Sequence, residues 1–253
     1  MTTIDLNSDM GEYESPESLA REAHLMPLIT SVNIACGGHA GNPHFMRRTA
    51  RLAAQYGTAI GAHPGFPDAQ DFGRRDRHAS QEEVELLVTT QLNTLAEVLA
   101  SDHLTLGHVK LHGALYNLAA RDRTAADAVA RAVASFDRRL LLFALAGSVL
   151  VESGKSAGLT VVQEAFADRA FRSDGTLVPR SQPGALLNNE EQVRRQLREI
   201  LSGSVTSIDG RRISLQAESL CVHADTPHAI EFVQLVRQEI ESAGFRVANV
   251  HRV

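Results

Sequence analysis

Apolar and polar positions follow two rhythms along this chain, and the rhythms alternate. Short apolar or β-branched runs predict strands at 3–7, 31–35, 58–62, 107–111, 139–145, 159–163, 218–223 and 245–249. Longer stretches with a period near 3.6 lie between them. The clearest is SQEEVELLVTTQLNTLAEVLAS. Ser80 and Glu83 form a capping box there, and Val84, Leu87, Leu92, Leu95 and Leu99 mark one face. NPHFMRRTARLAAQYG predicts a helix with Asn42 as N-cap, Pro43 at the first helical position and Gly57 past its end. DTPHAIEFVQLVRQEIESAG repeats that grammar, with Asp225 as N-cap, Pro227 near the start and Gly244 past the end. Helices also fit 120–136, 147–156 and 189–202.

Strand–helix alternation over the whole chain predicts a parallel sheet. Seven or eight such units without a break favour a closed α/β barrel over an open sheet. A length of 253 residues suits one barrel domain over 1–253. SVTSIDGRRISL reads as a hairpin around Asp209-Gly210, inserted near 203–216 before the penultimate strand.

The first strand carries a second pattern. TIDLNSDM sets Asp5, Asn7 and Asp9 at alternate positions, so they share one face. Unpaired carboxylates are costly on a buried face. In α/β barrels chemistry collects at the C-terminal ends of the strands. Six of the eight predicted strands end in His, Asp, Glu or Lys beside small residues, in DLNSDMGE, VNIACGGHAGNP, IGAHPGFPD, HVKLHGALYN, VVQEAFADRAF and LCVHADTP. The polar face of strand one is therefore expected to point into a shared site.

Each residue has a chemical reading and a plainer one. Asp9 is a catalytic or ligating carboxylate, or a turn residue before Gly11. His39 and His63 follow strands two and three among glycines. With Asp9 they meet the needs of a divalent metal or a general base. His108, Lys110 and His112 fall on one face of strand four. Lys110 can orient a carboxylate or phosphate and His112 can move a proton; the structural alternative is a salt bridge from Lys110 to Asp5 or Asp9. Asp5 and Asn7 lie deeper, as a hydrogen-bonded core network or as substrate contacts, and Asn33 joins the substrate-binding set. Glu164, Asp168 and Arg169 read as a loop after strand six, with Glu164 and Arg169 as substrate contacts. Arg180 in LVPRSQPGA is an anion binder or a solvated loop residue, and His223 closes the site from the penultimate strand. FGRRDRH adds Arg74, Arg75 and Arg77, which hold an anion or are solvated. Cys36 and Cys221 read as small buried hydrophobes.

Composition removes other classes. A net charge of −5 with no basic run argues against nucleic acid. No apolar run is long enough to span a membrane. Two cysteines and no visible signal peptide predict a reducing cytoplasm. ESGKSAG imitates a phosphate-binding loop, but Val149 stands where its first glycine belongs, so no nucleotide loop is expected.

Taken together, DLNSDMGE, SVNIACGGHAGNP, IGAHPGFPD, FGRR, HVKLHGALYN, EAFADRAF, LVPRS and CVHADTP resemble, in this order, the LamB/YcsF family of 5-oxoprolinase A subunits, from about residue 3 to about residue 250. The resemblance implies a distorted seven-stranded (β/α) barrel related to glycoside hydrolase and deacetylase barrels. It implies ATP-dependent hydrolysis of 5-oxoproline to glutamate, with ATP handled together with two partner subunits of B and C type; a homo-oligomer is left open. The family's motifs read CGFHAGDP and KPHGALYN, with Gly before the Asp of the last. Here Gly38, Asn42, Leu111 and Ala224 depart from them. Gly38 for Phe would widen the pocket, and Asn42 for Asp keeps an N-cap. Two other readings share the barrel: a stand-alone metal-dependent deacetylase or amidohydrolase, and a non-catalytic scaffold subunit.

Overall fold

A computed structural model describes residues 2–187, 189–222 and 229–250. The sheet runs β1 (Thr3–Met10), β2 (Ser31–Ala35), β3 (Ala59–His63), β4 (His108–Lys110), β5 (Leu141–Leu145), β6 (Thr160–Phe166) and β9 (Ser219–Cys221), each pairing in parallel with the next. The ring closes because β1 also pairs with β9, with Asp5 opposite Ser219 and Asn7 opposite Cys221. A seven-stranded parallel barrel results, the fold class the alternation predicts. β10 (Arg246–Val247) adds below β2 on the same edge of β1: the amides of Arg246 and Ala248 donate to the carbonyls of Thr2 and Ile4. β7 (Ser204–Thr206) and β8 (Arg212–Ser214) form an antiparallel pair outside the barrel.

Helices cover the barrel: α1 (Pro16–Leu25), α2 (Pro43–Tyr56), α3 (Gln81–Ala100), α4 (Gly113–Arg121), α5 (Arg123–Phe136), α6 (Val149–Ser156), α7 (Glu190–Leu201) and α8 (Ala229–Ser242). Ile4, Leu6 and Met10 of β1 alternate with its polar set and join the apolar core. Val84, Val88, Leu92, Leu95 and Leu99 bury the α3 stripe. Asn42 caps α2 through the amides of His44 and Phe45, and Ser80 and Glu83 complete their capping box.

Four local differences from the sequence reading bear on the site. HVKLHGALYN is not one strand. β4 stops at Lys110, and Gly113, at φ +54°, turns the chain into α4; the apolar run of α4 had read as strand. The helix expected at 120–136 is accordingly two helices that meet at Asp122, which caps α5. β6 continues to Phe166, so Glu164 is on a strand and not in a loop. PESLAREAHL forms α1, capped by Ser15, although it buries mainly Ser18, Glu22 and Leu25. With two of those three polar, no hydrophobic stripe announces it. The Gly154-Lys155-Ser156 segment closes α6, as a helix end should. Among the described residues no helix is long and apolar enough to cross a membrane.

Candidate functional site

A polar column fills the barrel where apolar layers are usual. Lys110 on β4 is 2% exposed, and its ammonium donates to Asn7 Oδ1 at 2.9 Å and Asp9 Oδ1 at 3.1 Å. It also lies 3.1 Å from Glu164 Oε1 and 2.9 Å from Cys221 Sγ. These partners sit on β1, β6 and β9, none of which neighbours β4 in the sheet. Their side chains therefore point inward and meet across the barrel. Asn33 ties the column together. Its amide donates to Asn7 Oδ1 and Asp9 Oδ1, each at 2.8 Å, and its carbonyl oxygen lies 2.8 Å from His108 Nε2. Glu164 accepts from Asn7 Nδ2 at 2.7 Å and from the Tyr116 hydroxyl at 2.9 Å. Below this layer Asp5 accepts from the hydroxyls of Thr30, Ser31 and Ser219.

The column's charges follow from burial and neighbours. Burial works against the Lys110 charge, but Asp9, Cys221 and Glu164 outweigh it and hold the ammonium well above its ordinary value. Burial lifts the Cys221 thiol well above its usual range. Burial likewise pushes Asp5 up to about 6 and Tyr116 well above the phenol range.

Beside Lys110 three imidazoles and a carboxylate gather. His63, the last residue of β3, places Nε2 3.2 Å from Asp9 Oδ2. His112 lies between β4 and α4 with Nδ1 3.0 Å from His63 Nε2. His39 stacks on His112 with ring centres 3.5 Å apart and bonds Glu12 Oε1 through Nε2 at 3.0 Å. Burial, then His63, lowers His39 to about 2; burial with His63 and His39 takes His112 well below its ordinary value. Both rings are neutral at physiological pH. Two close approaches allow the packing. Gly41 stands where a Cβ would lie 2.7 Å from Ala35 O, and Gly61 where one would lie 2.0 Å from His108 Nε2.

These groups open into a cavity of about 410 Å³ at the C-terminal end of the barrel, within the usual size of a small-molecule site. Asp9, Glu12, His63, Lys110 and His112 form one wall; Arg74, Arg121, Arg169, Arg172 and Arg180 contribute from the loops and helices around it. Arg169 is held by Val178 O at 2.7 Å, while its buried Nε has no hydrogen-bond partner among the described residues. Burial, then Arg180, lowers Arg169 to about 10.

The structure thus brings Asp9, His63, Lys110 and His112 to the cavity wall, along with Arg169 and Arg180. His39 lies behind His112. Asp5, Asn7, Asn33 and Glu164, expected as substrate contacts, are fully buried beneath the cavity and absent from its wall, because their polar atoms are engaged with one another. His223 and Asp225 lie outside the described residues, as does Ala224. The metal-capable group is Glu12, His39, His63 and His112, with Asp9 beside it. Gly38 does not widen the cavity. It faces Gln91, whose amide bonds both backbone groups of Gly65. Cys36 is buried and its thiol is pushed up to about 12, so it is no nucleophile. Sequence reasoning passed over Glu12, Tyr116 and Phe72. Glu12 ends the DLNSDMGE motif, and Tyr116 sits one helical turn after His112; Phe72, at φ +53°, carries no sequence signal.

Relatives match the chain over nearly its whole length. It is 49% identical to the 5-oxoprolinase A subunit of Symbiobacterium thermophilum over 245 residues, covering 96% of this chain and 94% of that one. It is 44% identical to the 5-oxoprolinase A subunit of Bacillus subtilis, covering 99% and 98%. The fold matches the crystal structure of a lactam utilization protein from Thermus thermophilus with TM-score 0.88 and 43% identity, over 98% of this chain and 99% of that one. A putative cellobiose-phosphate cleavage protein of Enterococcus faecalis, 15% identical with TM-score 0.59, shares the fold alone. The LamB/YcsF family profile matches residues 4–253, and with relatives this similar over nearly their full length the chain belongs to the LamB/YcsF family.

Proposed function

We propose that this chain is the A-type subunit of an ATP-dependent 5-oxoprolinase and that its barrel mouth is where the lactam C–N bond is hydrolysed. The observation that carries the reading is the buried Lys110 ammonium, held between Asp9 and Glu164 at the base of a cavity ringed by arginines. A lactam resists water because amide resonance must be broken. Transfer of a phosphoryl group from ATP to the amide oxygen makes the ring carbon a better electrophile. Water then adds to that carbon, the C–N bond breaks as the nitrogen takes a proton, and a second water hydrolyses the resulting glutamyl phosphate to glutamate and phosphate. The relatives' name, with its letter, supports further subunits that handle ATP; we assign these to two partners of B and C type.

Within this chain the cavity groups divide the work. Lys110, fixed by Asn7, Asp9, Glu164 and Cys221, supplies a positive charge that stabilises negative charge developing on the substrate oxygen. His63 Nε2 and His112 Nδ1, the ring nitrogens not bonded to backbone carbonyls, offer acceptors to the attacking water, and Asp9 steadies the charge that His63 gains. Arg169 and Arg180 hold the anionic end of the substrate. Asn7, Asn33, Tyr116 and Glu164 position Lys110 and Asp9 without touching substrate. Replacing Asp9 by Asn keeps the shape and removes the charge. In the reconstituted enzyme Asp9→Asn should assemble normally and lose glutamate release by at least about a hundredfold; unchanged turnover would overturn the assignment.

A further inference from the structure

Two backbone carbonyls settle where the protons of His63 and His112 sit. A carbonyl oxygen can only accept. His63 Nδ1, 2.8 Å from Lys110 O, and His112 Nε2, 2.9 Å from Phe72 O, are therefore both N–H donors. The Phe72 carbonyl is delivered by a left-handed backbone, φ +53°, that a bulky residue adopts only under constraint. In the tautomer those bonds fix, the remaining nitrogen of each ring carries a lone pair. Those nitrogens, His63 Nε2 and His112 Nδ1, lie 3.0 Å apart, and neither can donate to the other. Asp9 Oδ2 stands 3.2 Å from the first, and Glu12 Oε1 stands 3.6 Å from the second. Two lone pairs and two carboxylates converge on one buried point. Such a point repels itself unless a positive charge occupies it.

A proton or a metal ion can supply that charge, and the wider arrangement favours the ion. A proton would satisfy His63 and His112 alone. Yet His39 adds a third imidazole, with Nε2 3.0 Å from Glu12 Oε1, and donor atoms of all four residues lie within 4.8 Å of one another. Donors about 2.1 Å from one ion stand about 3.0 Å apart at right angles and about 3.4 Å apart at a tetrahedron's corners. The 3.0 Å between His63 Nε2 and His112 Nδ1 matches the right-angle edge, and the 3.6 Å from His112 Nδ1 to Glu12 Oε1 lies a little beyond the tetrahedral one. Imidazoles with a carboxylate suit a divalent transition metal and not magnesium or calcium. Glu12, His63 and His112 also line the cavity, so the point is open to a substrate or water.

We propose that Glu12, His39, His63 and His112 bind one divalent transition-metal ion at the cavity wall. The proposal deepens the lactam reading by assigning to an ion the lone pairs of His63 Nε2 and His112 Nδ1. The ion would supply Lewis acidity to a carbonyl or phosphoryl oxygen and acidify a bound water. Asp9 remains outside the ligand group, paired with Lys110. The binding itself does not depend on which lactam the chain opens.

The test uses the purified full chain, stripped with a chelator and titrated with Zn²⁺ by calorimetry and elemental analysis. One Zn²⁺ per chain is expected, with a rise in Tm of roughly 5–10 °C when free zinc is a hundred times Kd. Glu12→Gln, which preserves shape, should weaken binding at least tenfold, and His112→Ala should abolish stoichiometric uptake. His24→Gln, on the exposed face of α1, should change nothing. X-ray absorption of the zinc-loaded wild type should show imidazole scattering from at least two ligands, which holds the proposal to account even where a histidine variant fails to fold. No stoichiometric uptake, or uptake indifferent to Glu12→Gln and His112→Ala, would overturn it. A far-downfield proton resonance in protein that takes up no zinc would show that His63 and His112 share a proton instead. Because every readout is binding, a chain that takes zinc but opens no 5-oxoproline would refute the functional reading and leave this one standing.

Discussion

Removing the Lys110 ammonium tests the polar column as a unit. Lys110→Met keeps most of the length of the side chain and deletes its charge. Asp9 and Glu164 then lose the cation that lay 3.1 Å from each. Glu164 is fully buried, so water cannot replace the lost partner. Breaking a buried pair by deleting one member costs about 3–5 kcal/mol. For a chain of this size that lowers Tm by about 6–20 °C. The assay is urea unfolding followed by circular dichroism, with Tm by calorimetry. The cost belongs to stranded charge and not to lost packing, so the double variant Lys110→Met with Glu164→Gln should recover a large part of it. A single variant that loses under about 1 kcal/mol, or a double variant as unstable as the sum of its parts, would refute the reasoning.

Three further outcomes follow from individual contacts. Burial pushes the Asp5 carboxyl up to about 6 from an ordinary 3.8, so the folded chain keeps this proton when the unfolded chain has released it. That contribution to stability is present below about pH 4 and is lost, by up to about 3 kcal/mol, as pH rises to about 6. Asp5→Asn should remove that slope; a wild-type minus variant stability difference that is flat from pH 4 to 6 contradicts it. Gly61→Ala would set a methyl 2.0 Å from His108 Nε2, displacing the ring that anchors Asn33. A loss of about 1–3 kcal/mol or more is expected, and an unchanged urea midpoint counts against the packing. Tyr116→Phe removes a donor from buried Glu164 and should cost about 1–3 kcal/mol, with little added cost when Glu164 is already Gln. Equal costs in both backgrounds would show that the hydroxyl serves something else.

The alternation of Asp5, Asn7 and Asp9 was legible because strand geometry is strict: one register puts all three on one face, and that face could only be a site or a network. The structure shows the network, with Asp9 lining the cavity and Asp5 and Asn7 beneath it. Helix caps were equally legible at Asn42 and Ser80, where the chemistry is local. What escaped depended on tertiary context. Glu164 read as a loop residue because AFADRAF lacks strand periodicity, yet β6 is held to Phe166 by pairing with β9. His112 read as strand because the turn at Gly113 looks like any other glycine. Glu12 gave no separate signal, since its meaning comes from His39, 27 residues away. Gly38 read as a wider pocket because a missing side chain leaves no trace of what fills its place, here Gln91.

The proposed role of this barrel is to open a lactam as one subunit of an ATP-driven enzyme. The most direct test is release of glutamate and phosphate from 5-oxoproline plus ATP, with this chain alone and then mixed with the proposed B- and C-type partners. No release by the chain alone and coupled release of both products by the mixture are expected. Release by the chain alone would contradict the placement of ATP on the partners, and no release by the assembled mixture would contradict the lactam reading itself.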